Sequence, residues 1–383
     1  MTEKLYHQDP YMKSFVSRVV SCEKREGHYL VSLEATAFYP EGGGQPGDTG
    51  RLGGVEVFDT HESGGEIFHY CRAPLTPGRE VCGEIDWQRR FDHMQQHSGE
   101  HIVSGLICSR FGCDNVGFHM GAERVVIDFN AEISLSELRE LELEANRRIW
   151  QSIPCIITHP DEAELRRLHY RSKKELHGDV RIVEFPTADI CACCGTHVET
   201  AGEIGLILLL GVSHLRDGVR IEMLAGKRAY DYAAGIIAQN RKISALLSAK
   251  PPETAAAVSR LQAELDSAKY RLVGAQNRLF AAAARENAGE NGVLIFESDL
   301  EPDALRRMAD AVMNLNSGFV GVFSGSDECG YKYAVGRRSA DVRAFVAEMN
   351  AALSGRGGGK GSLAQGSVKA LRSEIERFFS EIK

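Results

Sequence analysis

The stretch at residues 36–48 reads TAFYPEGGGQPGD and interrupts a region of short runs in which apolar and polar residues alternate. Residues 29–33 (YLVSL) precede it and residues 55–58 (VEVF) follow it. Alternation with a period of two, punctuated by glycine and proline, predicts β-strands joined by turns. We therefore expect residues 1–90 to form a β-rich, barrel-like unit. Within it the glycine-rich stretch is either a plain loop or a segment whose backbone approaches a bound group.

The pattern changes at Phe91, where a run without proline extends to Gly112. A capping box at Ser134 and Glu137 predicts the start of a helix, and apolar residues recur behind it at helical spacing up to Ile149. We expect a further helix near residues 162–170 and strands at residues 125–129, 155–158, 180–185, 204–210 and 219–224. This region, residues 91–229, is predicted to be an α+β domain.

Residues 230–248 and 254–287 are predicted to be helical and are separated by Pro251 and Pro252. In the second helix, apolar residues step alternately by three and four and form a narrow heptad seam: Val258, Leu261, Leu265, Ala268, Leu272, Ala275, Leu279 and Ala282. An antiparallel hairpin within one chain and a dimeric coiled coil both remain open for residues 230–290. Residues 291–383 are predicted to form a compact α/β domain that carries a glycine-rich loop, GRGGGK, at residues 355–360.

The composition is that of a water-soluble globular protein. The chain has 383 residues, of which 43% are hydrophobic and 26% charged, and its formal net charge is −8. Residues 337–383 differ, since nine Lys and Arg stand against five Asp and Glu, which predicts a basic C-terminal surface. Most of the ten cysteines are scattered singly, and the longest apolar run is about half of what crosses a bilayer. With no signal-peptide pattern at the N-terminus, we expect a cytoplasmic protein without membrane contact.

In two motifs, potential metal ligands are spaced as they are in known metal sites. His97 and His101 are four residues apart, so on a helix both imidazoles lie on one face. Cys193 and His197 repeat the four-residue spacing further along the chain. Three imidazoles and one thiolate suit zinc, and we expect one zinc ion per chain. Alternative ligands close to the two motifs are His93, Cys191 and Cys194.

Two kinds of zinc enzyme fit these residues. His97, Glu100 and His101 spell H-x-x-E-H, the inverted zinc-peptidase signature in which the glutamate is the general base. That interpretation requires a further carboxylate ligand, for which Glu175 and Glu184 are candidates, and it leaves Cys193 and His197 unexplained. In the alternative, all four ligands surround zinc and an ester is hydrolysed. On a helix Glu100 points about 100° away from His101, which favours a solvated or helix-pairing role over that of a base.

The order and separation of four motifs decide between these alternatives. Residues 36–48, the His97 and His101 pair, residues 193–198 (CCGTHV) and residues 220–222 (RIE) resemble the editing domain of alanyl-tRNA synthetases. The C-terminal GRGGGK, followed by residues 364–366 (AQG), resembles the glycine-rich motif of the C-terminal domain of those enzymes. There is no room upstream of residue 36 for an aminoacylation domain. The chain therefore resembles the freestanding, long-form alanyl-tRNA editing proteins.

The resemblance implies hydrolysis of the ester that joins a wrong amino acid, typically serine or glycine, to the terminal ribose of alanine tRNA. His97, His101, Cys193 and His197 fall on the zinc ligands of the family, and Thr36 falls on the hydroxyl residue that recognises serine. A noncatalytic tRNA-binding relative is the remaining alternative, although such a relative should have lost at least one ligand.

The resemblance also implies roles outside the metal ligands. Gln45 and its neighbours Gly43 and Gly44 are expected to line the substrate pocket. Asn115 stands near the position where many relatives carry a glutamine beside the reacting ester, and Cys194 stands where the family usually has glycine. In the C-terminal domain, Arg356 and Lys360 are expected to contact tRNA, and this domain together with the predicted coiled coil could form a homodimer.

Overall fold

The computed structural model describes residues 1–172 and 180–381. They form two compact units, Met1–Asn240 and Arg241–Lys383. The mixed α and β content agrees with the predicted α+β class. The finer division at residues 90, 229 and 290 stays a prediction.

The first part of the N-terminal unit is rich in β-strands. Six of them close into a barrel in the order β2-β3-β7-β6-β5-β8, and β1 pairs with β4 in parallel. Side chains of β2 alternate between buried and exposed, which places Phe15 and Val19 in the barrel core. The elements are, in chain order, β1 (Glu3–Lys4), α1 (Leu5–Gln8), β2 (Ser14–Arg25), β3 (His28–Leu33), β4 (Ala35–Thr36), β5 (Gly50–Leu52), β6 (Val55–Ser63), β7 (Glu66–Cys71) and β8 (Glu80–Ile85).

The second part of this unit is built around a long buried helix, α2 (Trp87–Phe111). The Asp86 side chain caps its N-terminus by accepting a hydrogen bond from the Arg89 N–H, and Gly112 ends it in a left-handed conformation, with φ +63°. The following elements are β9 (Asn115–Met120), β10 (Val125–Phe129), α3 (Leu135–Trp150), β11 (Ile156–Thr158), α4 (Glu162–Leu165), β12 (Ile182–Phe185), β13 (Asp189–Ala192), a 3₁₀ helix (Ala201–Ile204), β14 (Ile207–Leu215), β15 (Gly218–Ala225) and α5 (Gly226–Leu246).

Two antiparallel sheets accompany α2, one in the order β14-β15-β10-β9 and one in the order β11-β12-β13. The predicted capping box at Ser134 and Glu137 is confirmed at the start of α3. The helix predicted at residues 162–170 is wrong in length, since α4 ends at Leu165. The sequence analysis did not predict strands β9 and β13.

The C-terminal unit combines a long helix with a five-stranded sheet in the order β16-β17-β18-β20-β19. Strands β16 and β17 are parallel and the other pairs are antiparallel. A 3₁₀ helix (Pro251–Glu253) precedes its elements, which are α6 (Thr254–Glu286), β16 (Val293–Glu297), α7 (Pro302–Met313), β17 (Val320–Ser326), β18 (Gly330–Gly336), α8 (Arg343–Ala352), β19 (Arg356–Lys360), β20 (Leu363–Val368) and α9 (Arg372–Ser380).

One expectation for this unit needs correction. The residues predicted as a glycine-rich loop form the edge strand β19, whose five residues are all exposed. For the seam of α6 the sequence left a hairpin and a dimeric coiled coil open, and every residue from Val258 to Val273 is exposed. Within the described residues, none of the helices combines the length and apolar character that crossing a membrane requires.

Candidate metal centre

The fold brings the four predicted ligands together. His97 and His101 lie on the buried face of α2, and Cys193 and His197 lie on the loop that follows β13. One ligand atom from each of the four residues lies within 4.8 Å of all the others. The three histidines are buried and Cys193 is half-buried. This cluster could therefore hold a metal ion with four protein ligands.

The distances within the cluster fit a tetrahedral zinc site. Cys193 Sγ lies 3.5 Å from His97 Nε2 and 3.4 Å from His197 Nε2. With usual zinc–sulfur and zinc–nitrogen bond lengths, tetrahedral geometry separates a sulfur and a nitrogen ligand by about 3.5 Å. The donor set of three imidazoles and one thiol is also one that zinc prefers.

Each imidazole is oriented by a partner at its other nitrogen. His97 Nδ1 donates to Gln45 Oε1 at 2.8 Å, which leaves Nε2 with a free lone pair. Ser98 Oγ lies 3.2 Å from His197 Nδ1, and Asp189 Oδ2 lies 3.0 Å from His101 Nδ1. Such outer partners fix the tautomer and orientation of metal-binding histidines.

Gln45 is itself held in one orientation. Its Nε2 donates to Thr196 Oγ1 at 2.9 Å, and its Oε1 accepts from the Thr196 N–H at 3.3 Å. Gln45 is fully buried. It was predicted to line the substrate pocket, whereas the structure places it behind a ligand, where it positions His97.

Asp189 connects the cluster to a half-buried arginine. Arg171 Nε and Nη2 donate to the two carboxylate oxygens of Asp189 at 2.6 and 2.7 Å. Burial alone would raise the pKa of Asp189, but His101 and Arg171 lower it below its usual value. Asp189 therefore stays ionised and can stabilise His101.

The charges of the cluster favour the thiolate form of Cys193. Burial raises the pKa of this thiol, but the neighbouring imidazoles, His97 and His197 foremost, outweigh that effect and bring the pKa well below its usual value. A thiolate is the form that binds metal.

The glycine residues near the cluster serve close packing. A Cβ at Gly195 would lie 2.2 Å from His97 Cε1, and a Cβ at Gly44 would lie 2.5 Å from the ring of Phe118. That ring stacks on His97 with centroids 5.3 Å apart. Gly44 also has φ +85°, whereas a Cβ at Gly43, with φ +60°, would meet nothing. Of the two glycines predicted to line a pocket, Gly44 allows Phe118 to support a metal ligand.

Thr36, Glu100 and Asn115 are all buried. Thr36 Oγ1 lies 2.8 Å from His69 Nε2 and accepts a hydrogen bond from the Phe38 N–H. Glu100 Oε1 accepts hydrogen bonds from Ser104 Oγ and Asn115 Nδ2, both at 2.6 Å. The solvated role predicted for Glu100 is therefore wrong, and the helix-pairing role is found in its bond to Ser104, one turn later.

The alternative ligands do not join the four-residue cluster. His93 is buried one turn before His97, Cys191 forms a separate group with His101 and Asp189, and Cys194 is exposed. Glu184, on β12, is not among the clustered residues, and Glu175 lies outside the described residues.

The sequence analysis missed four residues that support the cluster: Ser98, Arg171, Arg181 and Asp189. Asp189 lies on β13, a strand that was not predicted, and the contacts of the other three join distant parts of the chain. Only Ser98 could have been suspected from its position, because it directly follows the candidate ligand His97.

Two sequence families match parts of this chain. Residues 180–222 match the family described as threonyl and alanyl tRNA synthetase second additional domain, and residues 289–383 match the DHHA1 domain. The first match contains Cys193 and His197, and the second contains β19.

Full-length relatives show the same similarity. The chain is 29% identical to the alanyl-tRNA editing protein AlaX-L of Pyrococcus horikoshii, over 98% of this chain and 96% of the relative. It is 30% identical to alanyl-tRNA editing protein Aarsd1 of Rattus norvegicus over 67% of each chain. It is also 30% identical to the alanine–tRNA ligase of Ignicoccus hospitalis, over 95% of this chain. The chain spans 41% of that ligase and 62–67% of the animal Aarsd1 proteins.

Proposed function

This chain belongs to the family of alanyl-tRNA editing proteins, and from that premise we propose that it hydrolyses the ester of mischarged alanine tRNA in trans. The amino acids removed are serine and glycine, and the reaction depends on one zinc ion per chain. The observation that carries this proposal is the cluster of His97, His101, Cys193 and His197, with sulfur–nitrogen distances of 3.4 and 3.5 Å.

Zinc held by these four residues would supply Lewis-acid chemistry, which polarises an ester carbonyl and lowers the pKa of water. Neighbouring side chains already orient the residues that would hold the ion. Gln45 and Ser98 lie at Nδ1 of His97 and His197, whose Nε2 atoms face the Cys193 sulfur, and Asp189 lies 3.0 Å from His101 Nδ1. This arrangement needs little reorganisation when the metal ion binds.

Glu100 has a supporting role in this proposal. Its Oε1 is occupied by Ser104 and Asn115, and the carboxylate is buried. We therefore assign Glu100 to the placement of Asn115, on β9. The peptidase alternative makes this glutamate a general base and leaves Cys193 and His197 unused, so the four-residue cluster favours the esterase. The presence of all four ligands also argues against a noncatalytic relative.

Deacylation assays test the proposal directly. The zinc-loaded protein is incubated with alanine tRNA charged with serine, glycine or alanine, and loss of the ester is followed. We expect rapid loss of the seryl and glycyl esters and slow loss of the alanyl ester. If all three esters survive at their spontaneous rates, the proposed activity is wrong.

A matched pair of variants tests whether the activity depends on metal. Cys193→Ala removes a ligand, and we expect loss of zinc and of deacylation while the protein stays folded. Cys194→Ala removes the neighbouring exposed thiol, and we expect normal zinc content and activity. Metal analysis of the purified variants and circular dichroism accompany the assay. Full activity in metal-free protein would contradict zinc dependence, and the reverse result for the two cysteines would move the thiolate ligand to Cys194.

A further inference from the structure

Arg181 is a buried arginine that has no carboxylate partner among the described residues. Its exposed fraction is 6%. Its Nη1 donates to the carbonyl oxygens of Cys193 and Gly195 at 2.7 and 3.1 Å, and its Nε has no hydrogen-bond partner. Among the described residues, no carboxylate oxygen lies within the 4.0 Å of an ion pair to Arg181.

The buried Arg90 and the half-buried Arg171 differ in this respect. Arg90 is paired with Asp48, and Arg171 is paired with Asp189 through two hydrogen bonds. Removing a guanidinium charge from water is costly unless an anion compensates it. The two carbonyl groups satisfy part of the hydrogen-bonding capacity of Arg181, but they do not neutralise its charge. Among the described residues the charge of Arg181 thus has no carboxylate to compensate it, and an external anion would do so.

The position of Arg181 relates that anion to the cluster. Arg181 contacts the backbone of the ligand Cys193, and the next residue along the chain, Cys194, is exposed. Arg181 therefore lies beside the loop that carries Cys193 and the exposed Cys194.

His7 lies in the same neighbourhood. It is half-buried, and its Nδ1 is buried without a hydrogen-bond partner. Burial lowers the pKa of His7 to about 4, and the positive charges of Arg181 and Lys4 add to this effect. Lys4 is neutralised by Glu62 at 2.8 Å. His7 is thus a second candidate donor, because its buried Nδ1 has no hydrogen-bond partner among the described residues.

We propose that Arg181, assisted by His7, binds the phosphate group attached to the 5′ oxygen of the terminal nucleotide of tRNA. This assignment rests on the proposed function. In an aminoacylated tRNA end the amino acid's carboxyl group is esterified and its amino group is cationic, so the phosphodiesters are the only anions. The phosphate of the terminal ribose is the one nearest to the ester. Guanidinium groups suit phosphate because they present several N–H donors in one plane.

Ligand binding to the zinc-loaded full chain tests this proposal without any turnover. Calorimetric titrations compare adenosine 5′-monophosphate, adenosine and inorganic phosphate. We expect the monophosphate to bind at least about tenfold more tightly than adenosine, since one hydrogen bond between charged groups contributes about that factor. Equal affinity of the two compounds in the unmodified protein overturns the proposal. Inorganic phosphate binding as tightly as the monophosphate would overturn the assignment to a nucleotide.

Variants separate phosphate binding from support of the loop. Arg181→Gln keeps donors for the carbonyl groups and removes the charge, so we expect it to lose the preference for the monophosphate while zinc content and adenosine affinity persist. Arg139→Gln is the matched control, because it removes the charge of an exposed arginine on α3. If Arg181→Gln loses zinc but keeps the preference, Arg181 only supports the loop and the proposal is wrong.

Arg181→Lys and His7→Gln provide the same comparison if Arg181→Gln does not fold. We expect Arg181→Lys to retain part of the preference for the monophosphate and His7→Gln to reduce it. If both variants keep the full preference for the monophosphate over adenosine, the assignment of these residues to phosphate binding is wrong. A protein that deacylates tRNA without distinguishing the two ligands would overturn only this inference, whereas one that distinguishes them without deacylating tRNA would overturn only the proposed activity.

Discussion

Arg90 and Asp48 form an ion pair with almost no solvent exposure. Arg90 Nε donates to both oxygens of Asp48 at 3.1 and 2.9 Å, and the same carboxylate accepts from the Tyr39 N–H at 2.6 Å. Because Arg90 lies on α2 and Tyr39 and Asp48 lie on the glycine-rich stretch, the pair fixes the loop that carries Gln45 against the helix that carries His97.

We expect Asp48→Asn to lower the free energy of unfolding by about 3–5 kcal/mol, since it leaves a buried guanidinium uncompensated. Asp128→Asn, which breaks the more exposed pair with Arg220, should lower the free energy of unfolding much less. Urea unfolding of both variants provides the comparison. If both variants lost the same free energy of unfolding, the structural role assigned to the pair of Arg90 and Asp48 would be wrong.

His69 should make stability depend on pH. It is fully buried, its Nδ1 donates to the Val31 carbonyl at 2.9 Å, and burial lowers its pKa from 6.5 to about 4. Below pH 6.5 His69 becomes protonated in the unfolded chain, whereas in the folded chain it stays neutral down to about pH 4. The free energy of unfolding therefore falls as the pH falls through this window. At pH 5 the titration of His69 lowers the free energy of unfolding by about 2 kcal/mol relative to neutral pH.

The variant His69→Gln can still donate to Val31 and accept from Thr36, but it does not titrate. We therefore expect its unfolding free energy to fall less between pH 7.5 and pH 5 than that of the unmodified protein. Urea unfolding at the two pH values measures the difference. Parallel losses in the two proteins would show that His69 is not responsible.

Thr36→Val tests how serine is recognised. A pocket with room for serine also admits alanine, so discrimination requires a polar group that needs the hydroxyl of serine as its partner. We expect the variant to slow hydrolysis of the seryl ester markedly and that of the glycyl ester much less, which narrows the ratio of seryl to alanyl rates.

A second buried threonine provides the control for this variant. Thr60 is fully buried on the barrel strand β6, and its hydroxyl donates to the Asp48 carbonyl at 2.9 Å. Thr60→Val should cost similar stability without changing the ratio of rates. Equal slowing of all three esters in Thr36→Val would mean that Thr36, through its bond to His69, only supports the fold.

At the scale of elements, α6 presents an apolar seam to solvent. Val258, Leu261, Leu265, Leu272 and Leu279 are each about half exposed or more. Apolar residues at heptad spacing stabilise a helix pair when a second helix covers them. We therefore expect two copies of the chain to associate through α6.

Sedimentation equilibrium should report twice the mass of one chain. The double variant Leu265→Lys and Leu272→Lys should be monomeric, because it places charges in the seam. The control, Ala263→Lys and Tyr270→Lys, changes exposed residues outside the seam of the same helix and should remain dimeric. A monomeric unmodified protein would contradict the predicted coiled coil.

At the scale of the whole molecule, the C-terminal unit is expected to contribute tRNA affinity. Arg356 and Lys360 lie at the two ends of β19, the exposed edge strand. Replacing both with alanine in the full chain should weaken tRNA binding and lower the slope of affinity against salt concentration by about two, since about one phosphate contact is lost per residue.

Lys332→Ala with Arg343→Ala provides the matched control, because each of these residues already has an acidic partner. We expect this control to leave the salt dependence nearly unchanged. Zinc content should be normal in both double variants. An unchanged salt dependence after loss of Arg356 and Lys360 would favour a structural role for this unit, as a cap on the coiled coil.

Local signals made much of this architecture predictable. Alternation identified barrel strands, the capping box located the start of α3, and four-residue spacing identified both halves of the metal cluster. These features depend on neighbours within about one helical turn or one strand, so they can be read from periodicity. The ordered motifs likewise identified the family.

Tertiary structure decided what surrounds the ligands. Gln45 and His97 are 52 positions apart, and Ser98 and His197 are 99 positions apart. No periodicity predicts such contacts, because they depend on how the barrel, α2 and the loop after β13 pack together. For the same reason only the structure shows that Glu100 is buried and that Arg181 has no carboxylate partner among the described residues. The sequence by itself thus determined the candidate ligands and the family, and tertiary packing determined the orientation and charge of those side chains.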